Sequence, residues 1–152
     1  MNLSLFLSQT VMHPIWQSKQ GHGSFVTFEM GNKSLRKRPD GTEYAKGDIR
    51  LWVYLCDWVI KKENADLCHS ESTNDAIAEI MPLFIGNVLR DIVIVSPSQL
   101  NLYFSNGLLM TLSNNTRFYS KDDDFFSLSF RDTNTYLSYN QKDGFKVGDT
   151  NK

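Results

Sequence analysis

The three histidines, His13, His22 and His69, and the two cysteines, Cys56 and Cys68, are all the nitrogen and sulfur metal ligands this chain offers. None of the histidines falls at HExxH or another paired spacing, and Cys68-His69 has no second pair beside it. Adjacent residues seldom turn to one metal, so the sequence predicts no metal centre and no cofactor. Gly21-His22-Gly23-Ser24 precedes a strand pattern, whereas phosphate-holding loops open into a helix N-terminus. Ser24 does not fit a nucleophile elbow either, because Val26 stands where the second glycine is needed. Without a catalytic set, the expectation is a protein that binds and is not an enzyme.

Two charged runs are candidates for that binding. Lys33, Arg36, Lys37 and Arg38 form the dense basic run, able to follow a nucleic-acid backbone or another phosphate-bearing ligand. Asp122, Asp123 and Asp124 precede Phe125, and acids beside an aromatic suit a basic protein partner, where they steer encounter and set specificity. Glu29 is a weaker member of that acidic set. With 16 Lys plus Arg against 17 Asp plus Glu, the formal net charge of -1 gives no global field, so a charged partner must be met by a patch.

The elements that must carry these residues are mostly strands. In residues 100–112 a three-residue loop, Ser105-Asn106-Gly107, would pair Phe104 with Leu108, Leu102 with Met110 and Leu100 with Leu112. All six then share one face; a two-residue turn would split them, and a sheet with one buried face does not tolerate that slip. Tyr103 and Leu109 fall on the opposite face, where they need a covering helix or a partner. Residues 24–30 alternate as a strand, with Val26, Phe28 and Met30 on one side. Residues 32–47 read as an exposed loop around Pro39-Asp40-Gly41. Residues 49–60 read as one strand covered on both faces, with Trp52 and Trp58 in the core under a helix.

That helix is expected from Ser72 as cap, with Ile77, Ile80, Met81 and Phe84 on one face. Residues 91–95, 125–130 and 135–139 read as further strands, separated by turn signals in an antiparallel meander. The opening residues alternate like a strand yet also suit a helical face, and a short helix ending before Pro14 is preferred. A faint echo links Phe28-Glu-Met-Gly31 to Phe104-Ser-Asn-Gly107, and residues 48–52 to 123–126.

The expected fold class is α+β: a mainly antiparallel twisted sheet with one or two short helices packed on it. The 152 residues suit a single domain with a loose tail at 142–152. Two cysteines are too few for a disulfide framework, and no apolar run reaches bilayer length, so a cytoplasmic protein without a membrane partner is expected.

In order and texture the chain resembles small bacterial toxin-immunity proteins, those of contact-dependent growth inhibition above all. The pieces that carry this are a short N-terminal segment, the glycine-flanked strand of residues 22–31, residues 51–58, Phe84-Ile85-Gly86, the 100–112 hairpin and Phe125-Phe126. The resemblance implies a cytoplasmic non-enzyme that binds one cognate toxin domain, often a nuclease, and blocks its active site or its access to substrate. Asp122, Asp123, Asp124, Phe125, Glu29 and Tyr103 are the candidate contacts for such a toxin. Lys33, Arg36, Lys37 and Arg38 serve the alternative, nucleic-acid binding.

Overall fold

The computed structural model describes residues 2–150. Its first half runs α1 (Leu3–Thr10), β1 (Ile15–Gln20), β2 (Val26–Lys37), β3 (Glu43–Val53), β4 (Asp57–Lys62) and β5 (Ala65–His69). The second half runs α2 (Asn74–Ile80), a 3-10 turn (Met81–Phe84), β6 (Leu89–Ser96), β7 (Gln99–Phe104), β8 (Leu108–Ser113), β9 (Phe126–Phe130), β10 (Thr135–Asn140) and β11 (Gly144–Asp149). Every pairing is antiparallel. A six-stranded sheet has the order β1-β2-β3-β9-β10-β11 and a five-stranded sheet the order β5-β4-β8-β7-β6. This is the expected α+β class, mostly antiparallel sheet with two short helices.

The 100–112 hairpin has the expected register: Leu100 faces Leu112 and Leu102 faces Met110. Its six apolar residues, Phe104 and Leu108 included, are all buried. The loop uses two left-handed residues where one was expected, Asn106 at φ 60° and Gly107 at φ 74°. Asparagine tolerates that conformation better than most residues, and here its side chain is held by a bond across the fold, donating to Asn87 Oδ1 at 2.6 Å.

Both sheets feed one core cluster, so each covers the other's apolar side. Phe28 of the first meets Phe104 of the second at 5.5 Å, and Phe84 of the 3-10 turn packs against both at 4.9 Å. The opening segment is a helix, capped by Asn2, whose side chain accepts from Ser4 N, and Phe6 lies on Phe130 at 5.4 Å. Among the described residues no helix is long and apolar enough to cross a membrane.

Five expectations need correction. Residues 32–47 are largely not loop: β2 and β3 continue as a two-stranded ribbon past a bulge at Met30/Lys33, pairing Lys37 with Glu43. The ribbon carries no core face, so it lacks the apolar alternation that announces a strand. Residues 49–60 are two strands. After Leu51 and Val53 the next inward residues are Cys56, Trp58 and Ile60, and that change of parity takes an unpaired step as the chain crosses between sheets.

The anticipated cover over this segment is therefore the opposite sheet. The helix after it starts one residue later than read, since Thr73 accepts from Ala76 N while the Ser72 hydroxyl accepts from His69 N. Finally, the tail is not loose within the described residues. Residues 144–149 form β11, anchored by Phe145 against Tyr139 at 5.1 Å, and only residues 151 and 152 of the tail lie outside the described chain.

The strand orders contain a repeat. Mapping β1 through β5 onto β6 through β10 turns β1-β2-β3-β9-β10 into β6-β7-β8-β4-β5, which is the second sheet, and each set follows a helix. Phe28-Gly31 lies inside β2 and runs into its bulge, whereas Phe104-Gly107 ends β7 and turns into β8. The other half of the echo fails: residues 48–52 lie in β3, whose counterpart is β8, whereas 123–126 lead into β9.

Candidate functional surfaces

The outward side of the five-stranded sheet starts from the residues opposite the six core positions of the hairpin. Asp91, Tyr103, Leu109 and Lys61 lie in one row across β6, β7, β8 and β4, and Val93, Asn101, Thr111 and Val59 in the next. The helix α2 packs against β5, β1 and the 3-10 turn, so it does not cover this side. Tyr103 stays 39% exposed, its hydroxyl accepting from Asn101 Nδ2, whose Oδ1 accepts from Thr111 at 2.9 Å. That chain of bonds ties the ring along its own strand toward Asn101.

At the margin, β6 is the terminal strand. Its start is tied to α1, where Thr10 donates to the Leu89 carbonyl at 2.9 Å. Beyond that, Val93, Ile94 and Val95 are all exposed, and β6 has unpaired main-chain groups on its free side. The apolar stretch 93–95 of this edge, which follows the charged Arg90 and Asp91 and lies near Tyr103, is a surface onto which another strand can add.

The acidic run is partly engaged within the fold, with Asp122 still exposed. Asp122 pairs with Lys142 at 3.4 Å, and Asp123 accepts from Ser120 N at 2.9 Å. Asp124 accepts from the Tyr54 hydroxyl at 3.3 Å and from Asn140 Nδ2 at 3.2 Å, with Lys146 at 3.9 Å. Burial, and then the nearby Asp124 charge, push the Tyr54 phenol above its ordinary value. Phe125 is 1% exposed, edge-on to Tyr139 at 5.4 Å, so it is core and offers nothing to a partner.

Glu29 is likewise withdrawn, 1% exposed and ion-paired to Arg50 at 2.8 Å, with Gly47 N donating to it at 3.3 Å. Burial raises its carboxyl above the usual range, against the opposing pull of Arg50. The folded state therefore holds this proton more tightly than the unfolded chain. The associated stability is present below about pH 4.5 and is lost as pH rises through the folded value. Glu29→Gln is expected to remove that component, and urea unfolding of both proteins between pH 4.5 and 7 measures it; an identical pH profile in the variant would refute the assignment.

The basic run lies on the β2–β3 ribbon, where Lys33, Arg36, Lys37 and Arg38 are exposed. Arg38 lies over the Tyr44 ring at 4.5 Å and Lys33 over Trp16 at 4.7 Å. Trp52, read from sequence as core, is 39% exposed on the outward side of β3. It stacks on Tyr54 at 4.1 Å and meets Phe25 edge-on at 6.0 Å. Trp52 and Phe25, with Lys19, His22, Thr27 and Arg50, line an open depression of about 430 Å³. Sequence reasoning missed Trp52, Lys19 and the 93–95 edge. No sequence signal set Trp52 apart, because residues 49–60 are apolar on both parities; the change from Val53 to Cys56 as inward residues shows only in the fold.

Among the described residues no three His, Cys, Asp or Glu side chains converge as metal ligands. Burial raises both thiols, Cys56 above all, which leaves them as packing groups. Two facing antiparallel sheets with an open apolar margin on one side and a cationic aromatic surface on the other define a β-rich protein built to present faces. No protein family, no curated protein and no solved structure matches the chain.

Proposed function

We propose that this chain is an immunity protein that docks one cognate bacterial toxin domain, a nuclease in the leading case, and blocks its active site or substrate access. The supporting observation is the uncovered outward side of the five-stranded sheet, with Tyr103, Leu109 and Val93 beside the open edge β6. Depletion of charge at the centre with an aromatic anchor is the composition of a protein-binding surface. The toxin adds a strand to β6 and seats a pocket on Tyr103, in the cytoplasm, where Cys56 and Cys68 stay free thiols.

The test is affinity for the product of the reading frame immediately upstream of the gene. Tyr103→Ala combined with Leu109→Ala is expected to weaken that complex roughly 30-fold, equivalent to about 2 kcal/mol. Val93→Lys should act in the same direction by charging the edge. Replacing Asp122, Asp123 and Asp124 together by alanine should leave affinity nearly unchanged, because the first and third are ion-paired within the fold and the second is bonded to Ser120. Undiminished binding by the Tyr103/Leu109 variant would remove this surface from the proposal, and absence of any complex with the neighbouring product would remove the toxin.

A further inference from the structure

Alternation along β3 places Tyr44, Lys46, Asp48, Arg50 and Trp52 on one side, successive residues about 6.8 Å apart. Across the ladder Arg36 faces Tyr44, and Lys19 stands in the outermost strand opposite Thr27, beside Trp52. The acids of this side are already matched: Glu29 by Arg50, Asp48 by Arg131 at 2.9 Å, Asp124 by Lys146. Lys19, Arg36, Arg38 and Lys46 are in no ion pair among the described residues. Four cations thus stand on one outer face outside any close ion pair, with Glu29 acting on Lys19 and Lys46, and Asp40 on Arg38, only at longer range.

The aromatic groups are arranged for stacking. Trp52 is backed by Tyr54 at an interplanar angle of 15° and braced at its edge by Phe25, which fixes the indole while leaving it 39% exposed. An exposed ring face beside a row of cations accepts unpaired bases and their phosphates together. In a duplex the base faces are occupied by their neighbours, so a ring on a sheet surface has nothing to stack on. An acidic protein would engage the cations and the indole with no preference for unpaired bases, a difference that single strand against duplex reads out.

We propose that the outer face of the six-stranded sheet and its β2–β3 ribbon bind single-stranded nucleic acid, with Lys19, Arg36, Arg38 and Lys46 on phosphates and Trp52 under a base. This surface lies on the opposite side of the molecule from the one assigned to the toxin. Either assignment therefore stands or fails without the other.

The experiment is titration of the full chain with a labelled oligo-dT or oligo-U strand of about 16 nucleotides at several salt concentrations. Binding is expected to weaken as salt rises, with Trp52→Ala costing roughly tenfold. Arg36→Ala with Arg38→Ala, both on the exposed ribbon, should lower the slope against log salt by about 1.4. No binding at low salt would overturn the proposal. So would a duplex of equal length binding as tightly, or heparin competing fully while Trp52→Ala has no effect, which would mark a site for acidic proteins or polyanions at large.

Discussion

Replacing Phe28 with alanine is expected to cost about 4 kcal/mol of stability. The ring is fully buried, 4.9 Å from Phe84 and 5.5 Å from Phe104, which are themselves 4.9 Å apart. Phe28 therefore touches the opposite sheet and the 3-10 turn at once. Neither neighbour can collapse into the space without dragging its own strand or turn, so the transfer loss is joined by a cavity loss. Urea unfolding measures it as a lowered midpoint at unchanged slope. A loss below about 1 kcal/mol would mean that the sheets close over the gap and that their separation is not set by this trio.

Gly47→Ala is expected to cost about 3 kcal/mol for a different reason, overpacking against main chain. A Cβ there would overlap the Met30 carbonyl oxygen, and would stand 2.9 Å from Met30 N and 3.1 Å from Ile49 O. Backbone in the middle of a ladder cannot swing aside as a long side chain does. The same position donates its N–H to Glu29, so any shift also disturbs the buried ion pair with Arg50. The variant's unfolding midpoint should fall, and hydrogen exchange at Glu29 and Ile49 should accelerate. Wild-type stability in this variant would show that the bulge at Met30/Lys33 absorbs the extra atom.

What could be read from the residues depended on whether burial left a periodic trace. The 100–112 hairpin was legible because its six apolar residues admit only one register with a common side. The helix α2 was legible because Ile77, Met81 and Phe84 keep helical spacing up to and past Pro82. The ribbon at residues 32–46 was not, because a two-stranded arm in solvent buries neither side and has nothing to alternate. The two-sheet arrangement was hidden for the converse reason: residues 49–60 are apolar on both parities, so the crossing at Tyr54–Cys56 leaves no polar gap.

The candidate contacts fared according to the same physics. Asp122 and Asp124 found cations later in the chain, Lys142 and Lys146, which come alongside only once β10 and β11 are paired. No spacing within the acidic run reports that. Tyr103 kept its exposure because nothing in the fold reaches its side of β7, a fact fixed by where α2 packs and not by the hairpin itself.

The repeated strand order has a mechanical meaning. In each half three strands lie in one sheet, and the next two cross over to complete the other, so β4 joins β8 while β9 joins β3. Neither half owns a finished sheet. The molecule is clasped like two hands, and a cut in the linker before α2 would leave two fragments, each exposing the bare ladder that the other was made to fill.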